Sequence, residues 1–341
     1  MASSELPLGN VPATAPSPGP SAPRAAPHQL TAHHRSLGDR VFSAGVAATA
    51  FAIVGLVLLL VASLLKDAWP AMAQFGLSFI TSHSWNPVTK VFGVLPAIYG
   101  TVATSLVAML IAVPVGVGAG IFLAEFSPGW LERPLTLLIE LLAAIPSVVI
   151  GLWGLFVLVP VIRPLEDWLG KYLGSVPFFK GPPIGIGILT ASLILAVMVL
   201  PLLTSIVREV IRAVPTTQHE AAYALGVTEW EAIWSVVLPY GRSGITGAII
   251  LALGRALGET LAVTMVIGNV FKIDVSLFAQ ATTLASLIAS QFREADSDLY
   301  LSALIYAGLV LFVITLIVNI VARLLVHRMT AATIGIGQGA G

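Results

Sequence analysis

Hydrophobic residues in this chain come in long unbroken runs, without the three-to-four-residue rhythm of a soluble helix or the alternation of a half-buried strand. Uncharged windows run from Val41 to Leu65, within Val91 to Ala124, from Leu141 to Ile162, within Gly181 to Val207 and from Leu299 to Ala322. Each suffices for the roughly 20 residues a helix needs to cross hydrocarbon. A further run, Ser243 to Phe271, is interrupted only by Arg255 and Glu259. The pattern predicts an all-α integral membrane protein with six transmembrane helices.

Between the fourth and fifth runs the chemistry changes. Pro215 to Pro239, PTTQHEAAYALGVTEWEAIWSVVLP, is polar and charged. Thr217 with Glu220, and Thr228 with Glu231, have the spacing of capping boxes, so two short helices should start there. Gly226 supplies the turn between them. The second helix places Trp230, Ile233, Trp234 and Val237 on one apolar face, and Leu238-Pro239 should stop it. A charged hairpin between membrane spans points to a soluble partner.

Six spans put both termini and this hairpin on one side. Nine basic residues fall on that side (Arg24, Arg35, Arg40, Arg133, Arg208, Arg212, Arg242, Arg323, Arg328) and seven opposite (Lys66, Lys90, Arg163, Lys171, Lys180, Lys272, Arg293). The excess of Lys and Arg makes the hairpin side cytoplasmic. Residues 1–35 carry seven prolines among Ala and Ser and should form a disordered cytoplasmic tail, without the apolar core of a secretory signal. Residues 36–95 would hold the first span and its outer loop, 96–328 the transmembrane domain with the hairpin at 215–239, and 329–341 a C-terminal tail.

Composition agrees: 57% of residues are hydrophobic and only 10% charged, far from the roughly one-quarter charged share of soluble domains. With 17 basic and 17 acidic residues the formal charge is zero, which argues against nucleic-acid binding by counterion release. The absence of cysteine excludes disulfides, thiol catalysis and Cys-ligated metal. The histidines, including His28, His33 and His34 of the tail, lack metal-site spacing. No GxxxxGK[ST] loop is present, so any ATP must be bound by another subunit, and no nucleophile-base pair suggests an enzyme.

A charge within a membrane helix costs about 2.5–3.5 kcal/mol on insertion scales, so Arg255 and Glu259 require a reason. Four residues apart on one helix, they face the same side and can pair. Either they neutralise each other and fix helix register, or the guanidinium lines an oxyanion path with Glu259 holding it. Gly254 with Gly258, and Gly116 with Gly120, have the spacing of close helix packing. Glu140, expected at the start of the third helix, and Pro146, expected to kink it, are candidates for gating. Thr101, Ser105, Ser147, Thr264 and Asn269 are polar residues in or near spans, for which local backbone bonding is the default role.

The hairpin sequence EAAYALGVTEWEAIWSVVLP resembles the EAA signature of ABC-importer permeases, on Glu220, Ala221, Ala222, Gly226, Ile233, Leu238 and Pro239. GVLPAIYGT (93–101), IELLAAIPSVVIGLWGL (139–155) and LGRALGETLAV (253–263) are similar to the PstC permease subunits of bacterial phosphate importers, over residues 37–328. The resemblance implies a non-catalytic, multi-pass plasma-membrane permease for inorganic phosphate, bearing no cofactor of its own. Its implied partners are a PstA-like sister permease, two PstB-like subunits that use ATP-Mg, and a PstS-like phosphate-binding protein. It further implies that residues 216–238 dock on the ATPase, that Glu220 contributes to this interface or caps its helix, and that Arg255, with Glu259, contacts the anion. The alternatives are a permease for another oxyanion, such as sulfate or molybdate, or an ion-coupled secondary transporter.

Overall fold

The computed structural model describes residues 37–337. The predicted tail at 1–35, its histidines, and residues 338–341 lie outside them. The chain divides into two units, Met1–Leu58 and Leu59–Gly341. The described part of the first is the opening of helix α1 (Leu37–Phe75), whose apolar side chains, Phe42, Phe51 and Leu58 among them, are exposed.

The second unit begins within α1. After α2 (Ser78–Thr81) comes a feature an all-α reading lacks, a two-stranded antiparallel hairpin of β1 (Trp85–Asn86) and β2 (Val91–Phe92), pairing Trp85 with Phe92. Next are α3 (Leu95–Ile121), extended by a wide π turn at Phe122–Phe126, and α4 (Gly129–Ala144). Then α5 (Ser147–Trp153) continues through a second π turn, Gly154–Leu158, into α6 (Val159–Leu173), and α7 spans Ile188–Arg212. The hairpin region comprises α8 (Thr216–Ala224), α9 (Glu229–Ala232), a π turn at Ile233–Val237 and α10 (Leu238–Gly258). The chain closes with α11 (Leu261–Val266), α12 (Leu284–Gln291) and α13 (Asp298–Gly337), which takes helix through residues 329–337 of the expected tail.

Among the described residues six helical stretches are long and apolar enough to cross a membrane, the number the hydrophobic runs predict. The first span runs on to Phe75, and the third and fifth differ in where they begin as well as where they end. The third span is Ser147–Leu173, not Leu141–Ile162. Pro146 ends one helix and caps the next instead of kinking a continuous one: Ile145 is extended (φ −66°, ψ 129°), as the residue before a proline tends to be. Glu140 therefore sits near the end of the separate helix α4.

The fifth span is Glu229–Gly258, not Ser243–Phe271. Pro239 does not stop the hairpin's second helix. It falls in the first turn of α10, directly after the π turn, where the Leu238 N–H bonds to the Ile233 carbonyl five residues back. The wider turn accommodates the missing N–H and the bulk of the ring, so the hairpin's second helix and the fifth span form one continuous rod.

Helix α7 is the centre of the bundle, with 67% of its most apolar stretch buried against a third or less in the other spans. Lipid tails are as apolar as Leu, so close packing, not removal from water, holds such helices together. Gly116 and Gly120 of α3 provide it: a Cβ on either would lie under 3 Å from Leu203 or Val207 of α7. Gly254 faces Asn319 of α13, whereas Gly258 meets nothing within 4 Å.

The start of α7 is capped by backbone. The N–H groups of Gly187, Ile188 and Leu189 bond to the carbonyls of Val266, Ala279 and Leu277, supplying partners that the first turn of a helix lacks. The segment between α11 and α12, which provides the last two, is held in turn by Tyr99, whose hydroxyl donates to the Asp274 carbonyl at 2.7 Å. The Ser276 N–H, then Lys272, hold the Asp274 carboxyl below its ordinary range.

Gly100 of α3 abuts this segment so closely that a Cβ would lie 2.0 Å from the Thr282 carbonyl oxygen, while one on Gly118 of the same helix meets nothing. Gly100→Ala should cost about 1–3 kcal/mol, seen as a lowered thermal unfolding midpoint in detergent. Gly118→Ala should show no such loss.

Candidate functional site

The spanning helix α10 ends inside the sequence run that promised a continuous one. Gly258 is its last residue, and Glu259 turns extended (φ −67°, ψ 130°). Three side chains compensate the break: Thr260 Oγ1 donates to the Gly258 carbonyl (3.2 Å), Thr264 Oγ1 to the Thr260 carbonyl (2.6 Å), and Glu259 Oε1 accepts from the Ala262 N–H (3.4 Å). Glu259 is thus turned to the start of α11. The ion pair expected between Arg255 and Glu259 is not formed, because the helix that would have put them on one face ends between them.

Arg255 lies in the last turn of α10, where the negative end of the helix dipole favours a cation, and it is exposed. It lines a cleft of about 150 Å³ together with Glu140 near the end of α4 and Met198, Pro201, Leu202 and Ser205 of α7. The structure therefore brings Arg255 together with Glu140, and places Glu259 elsewhere. Pro146, which opens α5, does not line this cleft.

The cleft is one end of a polar seam between α4 and α7. Arg212 pairs with Glu132, and Arg208 donates to Thr136 Oγ1. On α4 the seam residues are 132, 136 and 140; on α7 they are 212, 208 and 205. Spacings of three and four keep each set on one helical face. Ser205 and this seam are candidate site features that the hydrophobic pattern hides, though their spacing is readable in the sequence. Among the described residues no group of three or more His, Asp or Glu gathers as a metal site would require.

Toward the hairpin, His219 Nε2 of α8 lies 3.4 Å from Glu125 Oε1 in the π turn after α3, an electrostatic contact without hydrogen-bond geometry. Glu220 and Ala221 are exposed and Ala222 is buried. The capping box expected of Thr217 and Glu220 does not form. Helix α8 starts two residues earlier than that box requires, with Pro215 at its N-cap and no side-chain cap bond, which leaves the Glu220 carboxylate free of that duty. The box of Thr228 and Glu231 does form: Glu231 Oε2 accepts from the Thr228 N–H (2.8 Å) and Thr228 Oγ1 from the Glu231 N–H (3.3 Å). Gly226 has φ +80°, the left-handed turn for which glycine is suited. Ile233 is buried and Leu238 half-buried, whereas Pro239 is exposed. Trp230 packs against Phe126 (6.3 Å between centroids) and Trp234 (5.7 Å), so the indoles lie against the end of α3.

Residues 116–331 match the family described as binding-protein-dependent transport system inner membrane component. The chain is 48% identical over 308 residues to the phosphate transport system permease protein PstC of Mesorhizobium japonicum, covering 89% of this chain and 94% of that protein. It is 49% identical over 289 residues to the protein of the same name from Xylella fastidiosa, covering 83% and 89%. Among solved structures, an inward-facing crystal form of the MetNI methionine ABC transporter superposes with a TM-score of 0.52 at 16% identity, covering 72% of this chain and 99% of that chain, a likeness of fold.

Because Thr228 caps α9, Thr228→Ala should destabilise the start of that helix by about 1 kcal/mol, read as roughly fivefold faster hydrogen exchange at residues 229–233. Thr217→Ala should leave exchange at the start of α8 unchanged.

Proposed function

We propose, for a chain that belongs to the binding-protein-dependent transport inner-membrane-component family and stands among its phosphate permeases, that it translocates inorganic phosphate into the cell as the permease subunit of an ATP-driven importer. The observation that carries this reading is near-half identity to PstC proteins over most of the chain. An exposed guanidinium in the last turn of a spanning helix supplies the matching chemistry: a fork of donors suited to a tetrahedral oxyanion, beside a break in the helix of the kind that lines a path.

The remaining parts follow from this. Arg255 contacts the passing anion, Glu259 shapes the unwound turn beside it, and Glu140, in the cleft with Arg255, and Pro146 act in gating. A PstA-like sister permease completes the pathway, and a PstS-like protein delivers phosphate from outside. Two PstB-like ATPases drive the importer, one of them docking on the coupling segment of this chain, to which Glu220, Ala221, Ala222, Gly226, Ile233, Leu238 and Pro239 belong. The hairpin runs without interruption into α10, whose far end carries Arg255. Movement of the ATPases is thereby conveyed to the anion site as rigid-body motion, switching access from one side to the other. The excess of basic residues on the hairpin side supports cytoplasmic termini.

Arg255→Gln is expected to abolish phosphate uptake in cells while the complex still assembles. Gly226→Val, which forces a β-branched residue into φ +80°, is expected to uncouple ATP hydrolysis from transport, measured as hydrolysis without uptake in proteoliposomes. Wild-type transport by the second variant, with unaltered hydrolysis, would remove the coupling assignment.

A further inference from the structure

The seam between α4 and α7 has an asymmetry. Its first two rungs set a cation of α7 against an acceptor of α4, Arg212 against Glu132 and Arg208 against Thr136. At the third, α4 presents the carboxylate of Glu140, but α7 offers only the Ser205 hydroxyl. The cation of that cleft, Arg255, comes from α10 instead. Arg255 and Glu140 are both exposed and take part in no ion pair among the described residues. The cleft between them is room for a small anion.

We propose that Glu140, not Glu259, is the carboxylate that works with Arg255, and that the two with Ser205 form a transit site selective for an oxyanion that still carries a proton. This rests on the phosphate-permease reading above and assigns the specificity of that same site. The guanidinium offers donors only, and the ionised carboxylate offers acceptors only. A tetrahedral anion held by Arg255 turns an oxygen toward Glu140. If that oxygen bears hydrogen, it donates to the carboxylate; if it is bare, lone pairs face lone pairs and two negative charges meet. Phosphate and arsenate carry at least one O–H at neutral pH, whereas sulfate and molybdate carry none. The Ser205 hydroxyl donates to the Leu202 carbonyl (3.0 Å), so it turns lone pairs to the cleft and likewise favours an anion that carries hydrogen. A site that pairs a substrate hydroxyl rejects the analogue lacking it far more strongly than shape alone does. The same carboxylate limits how tightly Arg255 holds its cargo, as passage requires.

The chain has no cysteine, so a single introduced thiol reports on this cleft. Ala143 is exposed and lines it. In the assembled complex in proteoliposomes, labelling of an Ala143→Cys variant by a small thiol reagent, read by mass on this subunit, should be slowed severalfold by inorganic phosphate and by arsenate but not by sulfate. Adding Glu140→Gln, whose amide can donate, should make sulfate protective too. Equal protection by sulfate with Glu140 in place, or an unchanged pattern after Glu140→Gln, overturns the proposal. Absence of protection by every anion, with uptake still lost in Arg255→Gln, overturns this site and leaves the permease reading standing. Unimpaired uptake by Arg255→Gln overturns the reading beneath it.

Discussion

In a bilayer an unpaired backbone N–H or C=O has no water to turn to, and each costs several kcal/mol. Helix α7 has its opening N–H groups paired with carbonyls of Val266, Ala279 and Leu277. It can therefore be the fixed post against which α3 packs through Gly116 and Gly120. The breaks elsewhere obey the same demand. At Gly258–Thr260 the side chains of Glu259, Thr260 and Thr264 take over backbone bonding that the helix relinquishes. At Ile145–Pro146 the proline brings no N–H to satisfy.

These two interruptions give the chain its candidate chemistry. Had α10 run on to Phe271, Arg255 and Glu259 would have shared a face and neutralised each other. Because it stops, Glu259 serves the start of α11 and Arg255 turns to a cleft with Glu140, itself carried there by a helix that stops short of Pro146. A local rule broken inside an otherwise regular element coincides with function here, as expected where a site needs a geometry that regular structure does not supply.

The π turns have the opposite effect. At Ile233–Val237 one wide turn lets the helix run past Pro239, and hairpin and span become a single lever. Contacts at the hairpin end tie it to the bundle, Glu125 with His219 and Phe126 with Trp230, and the Arg212–Glu132 pair joins α7 to α4 beside the hairpin's entry.

The number of spans, the polar hairpin, its Thr228 cap and the Gly226 turn were legible in the residues themselves, because each depends on hydrophobic run length or on bonds within a few positions. Similarity of segments carried the transported anion; no periodicity contained it. Where the helices end was not legible. A run of apolar residues is compatible with one helix or two, and Pro239 and Pro146, alike as letters, behave oppositely, according to whether a π turn or an extended residue precedes them. Nor could four-residue spacing say which carboxylate accompanies Arg255. Spacing holds only within an unbroken helix, whereas the neighbour across a cleft is set by how α4, α7 and α10 pack, which only the tertiary structure decides.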